Sequence, residues 1–298
     1  MHEQLMGASL YVPTTRDDLV QIASGERLAA VRSLIFCTED AVAAPALETA
    51  LANLATMLRQ LSAANGRERY VRVRDASVLA QVLAMPGADR LDGFVIPKAT
   101  RHTLGAYLCQ LEHTGHKIMP TLETVEVFDD GDMRLLREYL QACGFATRIP
   151  ALRIGGNDLL ALLGIRRPRN LTIYQTPLGQ VIARLVTTFR PYGFRLTAPV
   201  FEYLKTPELL AEEVLQDLAF GMVGKTAIHP DQVPMIEQHY RVRPIDVMVA
   251  RRIVAQDSPA VFKMDDAMCE VATHLGWARA VIEQARHFGT QPADALQA

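Results

Sequence analysis

The chain has little of what marks a redox, zinc or disulfide protein. Four cysteines occur in 298 residues, at positions 37, 109, 143 and 269. None form a CxxC pair, and none stand at zinc-site spacing from a histidine. Cys37 closes an apolar run and reads as a small buried hydrophobe. No HxH or HExxH pattern occurs among the histidines. No run of 18 apolar residues is present, so no membrane-spanning helix is expected. A charged-then-apolar leader is also missing, and the expected setting is a reduced cytoplasm. Excess charge of either sign is absent: the formal net charge of −2 gives no footprint for nucleic acid or an anionic membrane. No GxGxxG follows an apolar run, which argues against a dinucleotide fold. There is no low-complexity segment and no repeat beyond an alternation of strands and helices.

That alternation is what the sequence does have. At 49% hydrophobic and 21% charged residues, it can bury one large core. Short apolar runs at 8–13, 31–37, 69–73, 92–98, 117–123, 150–156, 194–202 and 220–225 read as strands. Stretches of helical spacing lie between them, clearest at 45–61 and 177–193. Parallel strands need crossovers, and eight such units favour closure into a barrel over an open, doubly wound sheet. The expected fold is an α/β (β/α)8 TIM barrel over 1–230. Residues 231–298 are expected to form a helical extension that packs on the barrel or on a neighbouring subunit.

Barrels of this kind gather their chemistry at the C-terminal ends of the strands. Glu123 ends the fifth run, and Asp158 follows the sixth about 35 residues later. The two carboxylates could share one divalent cation. They could also be plain strand-end residues, with Asp158 capping a helix that starts at Leu159. Arg72 and Arg74 share one side of the third strand. A guanidinium at the barrel mouth can bind a carboxylate bidentately and stabilise an enolate. Glu39 and Asp40 follow strand two, where Glu39 could orient Arg72 or a metal-bound water. Gly155, Gly156 and Asn157 could let backbone N–H groups approach a ligand at a helix start. Gly224 and Lys225 are expected at the end of strand eight, and His229 in the loop beyond. Pro199 and Glu202 end strand seven, where Glu202 could supply a mouth acid.

Several stretches together resemble a known superfamily. RSLIFCTEDAV, YVRVR, GFVIPK, PTLET, RIGGNDL and GMVGKTAIHPDQV occur in order between residues 32 and 233. They are similar to the motifs of the citrate lyase β-subunit and HpcH/HpaI aldolase superfamily. The resemblance implies a (β/α)8 barrel, often trimeric or hexameric, that makes or breaks C–C bonds beside a carbonyl. It implies Mg²⁺ held by Glu123 and Asp158, with Arg72 and Glu39 as catalytic residues. Arg74, Gly156, Asn157 and Pro199 would bind the substrate, a small 2-oxo or 3-hydroxy carboxylic acid. An acyl-CoA thioesterase on the same site and a non-catalytic metabolite-binding barrel are the alternatives. Cys37 stands where the superfamily commonly has Asp, and Arg74 where it has Asn. The Lys and Ala-Arg that usually follow Glu-Asp-Ala-Val are missing. Coenzyme A as part of the substrate is therefore left open.

Overall fold

A computed structural model describes residues 6–62 and 66–292. They fall into two compact units, Met6–Val233 and Pro234 onward. The first is the barrel. Its strands are β1 (Gly7–Pro13), β2 (Ser33–Cys37), β3 (Glu68–Arg72), β4 (Gly93–Ile96), β5 (Lys117–Leu122), β6 (Leu152–Ile154), β7 (Leu196–Thr197) and β8 (Gly224–Ala227). All neighbouring pairs are parallel, in the order β7-β6-β5-β4-β3-β2-β1-β8. A bridge between Ala198 and Lys225 joins the two ends of that order, so the sheet is closed. Strands covered on both faces read as continuous apolar runs; β2, SLIFC, is buried throughout.

The helices follow from local chemistry. Those between the strands are α1 (Leu19–Ser24), α2 (Leu47–Gln60), α3 (Ala76–Leu83), α4 (Gly105–Leu111), α5 (Asp130–Ala142), α6 (Gly156–Leu162), α7 (Leu178–Phe189) and α8 (Pro207–Ala219). In α7, Leu178, Val181, Ile182, Leu185 and Phe189 are buried, one stripe at helical spacing. Each such side chain contributes about 1.5–3 kcal/mol by leaving water. Asp75 caps α3 by accepting from the backbone N–H groups of Ser77 and Val78. Gly25 ends α1 at φ 93°, a left-handed turn suited to glycine.

Two barrel strands differ from expectation. β7 has two residues rather than the whole of 194–202, because Pro199 has no N–H to continue the ladder. β8 begins at Gly224 rather than 220. Phe220 caps α8, and Gly221 turns the chain at φ 74° before the strand starts. Lys225, the last residue of the expected run, lies within β8.

The second unit contains most of α9 (Gln232–His239), then α10 (Pro244–Val254), β9 (Val261–Met264), β10 (Ala267–Glu270) and α11 (Val271–Phe288). Val242, Val247, Ala250, Ile253, Cys269, Ala278 and Val281 form its own apolar core. The all-helical expectation for 231–298 fails at the antiparallel β9–β10 hairpin, and 293–298 lie outside the described residues. Asp265 and Asp266 both have positive φ, as a two-residue hairpin turn requires. No helix among the described residues is long and apolar enough to cross a membrane.

Candidate active site

A cavity of about 450 Å³ opens within the barrel unit, lined by Tyr11, Arg72, Glu123, Arg153, Asp158 and Thr226 among others. Strand register explains the lining. Cys37 pairs with Arg72 across β2 and β3, and Thr121 pairs with Arg153 across β5 and β6. Side chains paired in a parallel sheet point to the same face, and all four line the cavity.

Arg72 is the centre of the acidic side. Its Nη2 lies 2.8 Å from Glu39 Oε2 and 3.0 Å from Asp40 Oδ2. The same nitrogen donates to Glu123 Oε1 and Oε2 at 3.1 and 3.3 Å. Burial opposes its charge, but Tyr11, Glu123 and Glu39 outweigh burial and raise its pKa. Glu39 does not line the cavity; it is buried behind Arg72 and also accepts from Lys98 Nζ at 2.6 Å. Burial alone would raise its pKa, yet Asp40, Arg72 and Lys98 together hold it below the usual glutamate value. Asp40 does line the cavity. Burial, then its hydrogen bond with Glu39, pushes its carboxyl up to about 6.

Glu123 follows β5 and is 3% exposed. Burial drives its pKa up to about 7 against the pull of Arg72, and the nearby charge of Asp158 adds to the rise. The Lys98 backbone N–H donates to Glu123 Oε1 at 2.8 Å. Lys98 reaches it from a left-handed conformation, φ 48°, which is uncommon for a residue with a side chain. Oε1 thus takes two donors and Oε2 only the long bond from Arg72. Gly155 keeps the Oε2 side clear: a Cβ there would come within 2.4 Å of that oxygen.

Asp158 is half-buried, and its carboxylate accepts no hydrogen bond among the described residues. It does not cap a helix. α6 starts at Gly156, so Asp158 lies inside the first turn, where the helix dipole favours an acid. Glu123 and Asp158 thus present hard oxygen donors to one cavity, a set suited to a cation that keeps several waters. Among the described residues no group of three or more His, Cys, Asp or Glu forms a closed cage.

Other expected site residues are distributed differently. Gly156 and Asn157 line the cavity. Pro199 does not; it packs on Gly156, where a Cβ would meet it at 2.7 Å. Arg74 also lies off the cavity. It is past the end of β3, and its guanidinium donates to the carbonyls of Thr38, Glu39 and Val42. It pins the loop after β2 and lies outside the cavity lining that Arg72 joins, whereas the sequence placed it with the substrate-binding residues. Glu202 pairs with buried Arg167 at 3.1 Å and is no mouth acid. Lys225 is wholly buried, bonded to Glu213 and Asp217 of α8 at 2.9 Å each.

Sequence reasoning did not single out Tyr11, Thr121, Arg153 or Thr226. The usable signal was alternation. Tyr11 lies between buried Leu10 and Val12, and Arg153 between buried Leu152 and Ile154. A polar side chain at such a position faces the lumen.

A closed ring of eight parallel strands, with carboxylates and arginines gathered where those strands end, defines a TIM-barrel protein with an enzyme-like pocket. The sequence matches the family described as C–C bond lyase of the TIM-barrel fold over residues 1–290, and the chain belongs to that family. A (3S)-malyl-CoA thioesterase of Cereibacter sphaeroides is 29% identical over 252 residues, 83% of this chain and 81% of that protein. The CitE protein of Mycobacterium tuberculosis, in complex with magnesium, acetoacetate and coenzyme A, matches with a TM-score of 0.68 at 20% identity. That match covers 95% of this chain and 99% of the other. The citrate lyase β subunit of the same organism, complexed with oxaloacetate and magnesium, gives a TM-score of 0.59 at 20% identity, over 80% and 98% of the two chains. These two structures establish the likeness of fold: a citrate lyase β-subunit-like barrel.

Proposed function

We propose that the protein is a magnesium-dependent carbon–carbon lyase or aldolase acting beside a carbonyl in a small 2-oxo or 3-hydroxy acid. The observation that carries this reading is the pairing of Glu123 and Asp158 on one cavity with Arg72 beside them. Glu123 and Asp158 would hold the metal, which when bound supplies Lewis-acid polarisation of a carboxylate and its neighbouring carbonyl. Magnesium in the related structures supports that assignment.

The chain's own residues account for the rest. In the cleavage direction a substrate hydroxyl loses its proton and its oxygen forms a new carbonyl as the adjacent C–C bond breaks; the released electron pair moves onto the enolate oxygen, and the enolate then takes up a proton at carbon. Arg72 stabilises that charge from a fixed position, held by three carboxylates so that little reorganises as the charge forms. Glu39, behind Arg72, fixes its orientation and that of Lys98. Asp40 takes the proton: it lines the cavity, and a pKa of about 6 leaves it ionised near neutrality yet basic enough to act. Gly156 and Asn157 present the start of α6 to the substrate.

The likeness to a malyl-CoA thioesterase favours a second reading, hydrolysis of an acyl thioester on the same site. A homo-oligomer, trimer or hexamer, belongs to either reading and is open to sedimentation. The deciding experiment incubates the protein and Mg²⁺ with a panel of 3-hydroxy acids and their thioesters. A 2-oxo acid or aldehyde product supports the lyase; free thiol with the carbon skeleton intact supports the thioesterase. Absence of Mg²⁺ binding by calorimetry, with and without oxaloacetate, sinks both.

A further inference from the structure

Arg153 is 1% exposed, yet it borders the cavity. Among the other buried arginines of the barrel, Arg72 is matched by Glu39, Asp40 and Glu123, Arg167 by Glu202 and Glu213, Arg137 by Glu138, and Arg69 by the carbonyls of Ser62 and Arg90. Arg153 has no carboxylate within ion-pair distance among the described residues. Its Nη2 donates to Thr226 Oγ1 at 2.6 Å, and its guanidinium lies 5.4 Å from the centre of the Tyr11 ring. Its Nη1 is buried with no hydrogen-bond partner among the described residues. Register places Thr121, Arg153 and Thr197 side by side across β5, β6 and β7, and both threonine hydroxyls are also buried without partners. Two unmet hydroxyls flanking a buried guanidinium that has no acid partner are costly in a protein interior. Thr121, Arg153 and Thr226 line the cavity, and an anion there would supply the acceptor that Arg153 and Thr121 lack.

We propose that Arg153, with Thr121 and Thr226, binds a second anionic group of the substrate, so that the molecule turned over carries a further carboxylate or a phosphate. For the word substrate this rests on the function proposed above; for the anion site it does not. Thr121 lies two residues before Glu123 on β5, so the subsite is one layer, roughly 6–7 Å, below the metal-binding carboxylates. That separation suits a short diacid, or a phosphorylated acid, with its reacting carbonyl above and its second anion beneath. Arg153 acts here as a specificity-determining residue, distinct from the residues that handle the bond being broken.

The test is run without metal, in EDTA, so that it does not depend on the lyase reading. Succinate and inorganic phosphate are titrated by calorimetry into the wild-type protein, Arg153→Met and Thr226→Val. Both probes are expected to bind the wild type in competition, and the tighter one names the group. Arg153→Met is expected to weaken the tighter probe about tenfold or more, the loss of a charged hydrogen bond. Thr226→Val, which frees Nη2 without removing charge, gives a smaller shift. A second measurement guards against mere misfolding. If Arg153 awaits a ligand, Arg153→Met melts at or above the wild-type temperature, because an uncompensated buried charge has gone. If Arg153 is structural, the variant melts well below it, and the proposal fails. It fails equally if neither probe binds the wild type, or if Arg153→Met binds both as tightly. Loss of Mg²⁺ binding in other experiments would leave this result standing.

Discussion

The barrel contains two ion networks of similar composition. One joins Arg72 and Lys98 to Glu39, Asp40 and Glu123. The other joins Arg167 and Lys225 to Glu202, Glu213 and Asp217. Each has two cations and three acids, so charge count does not tell them apart. Satisfaction does. In the second network Tyr174 donates to Asp217 at 2.6 Å, the Ile173 N–H donates to Glu213 at 2.7 Å, and Arg167 donates to the Val200 carbonyl at 2.7 Å. Burial opposes ionisation of Glu213, yet Lys225 and Arg167 bring its pKa below the usual value. In the first network Glu123 is pushed up to about 7, and among the described residues Asp158 nearby accepts nothing. The closed network ties α8 to β8; the open one keeps spare capacity facing a cavity. Residual hydrogen-bonding capacity beside a cavity is therefore a better guide to a site than buried charge alone.

Breaking each network should separate activity from stability. Glu123→Gln is expected to lower turnover about a thousandfold, the scale of losing one electrostatic element of a site, and to abolish Mg²⁺ binding. Its thermal midpoint without metal should be unchanged or higher, since a disfavoured buried carboxylate has been removed. Circular dichroism melts beside product assays check both halves; a large drop in midpoint would place Glu123 with the structural acids. Lys225→Met should do the opposite. It leaves Glu213 and Asp217 short of their shared cation, which costs about 3–5 kcal/mol, measured by urea unfolding. Activity per folded molecule should be unchanged. A smaller effect sharpens the open side: Gly155→Ala forces a Cβ against the Glu123 carboxylate and should weaken Mg²⁺ about tenfold, with the overall fold intact by circular dichroism.

How much of this was legible beforehand differs between the same two regions. Eight strand–helix units and the strand-end positions of Glu123, Asp158 and Arg72 follow from apolar spacing and order along the chain. The closed network does not. Placing Lys225 against α8 requires β8 to start at Gly224, and that start depends on the left-handed turn at Gly221. The apolar run FGMV hid the turn. Arg74 falls past the last paired residue of β3, where strand alternation no longer fixes the side chain's direction and it reaches backbone carbonyls. Arg153 was visible as a charge between two apolar strand residues, but its lack of an acid partner is a fact of three dimensions. In the second unit, VFKM and AMCE flank two aspartates at hairpin spacing, a signal outweighed by the helical periodicity around it.

The finest contrast lies in two aspartates with the same pKa. Asp40 in the open network and Asp217 in the closed one are each raised to about 6, in both cases chiefly by burial. The consequences should appear in different measurements. In the proposed reaction Asp40 accepts the proton only when ionised, so activity should fall about tenfold per pH unit below about 6. In Asp40→Asn that limb should vanish along with most of the activity. Asp217 does no chemistry, and its proton bears on folding. The folded state keeps that proton where the unfolded chain, at the ordinary value of 3.8, has released it. The folded state therefore binds more protons between about pH 4 and 6, and stability falls as pH rises through that window. Asp217→Asn removes this contribution. Its stability relative to wild type should thus improve between pH 4 and 6, by on the order of 1 kcal/mol, whatever the absolute cost of the substitution. Urea midpoints of both proteins at several pH values give the difference directly. A constant difference would mean that Asp217 is ionised alike in both states, and that the closed network holds its charges more firmly than burial allows.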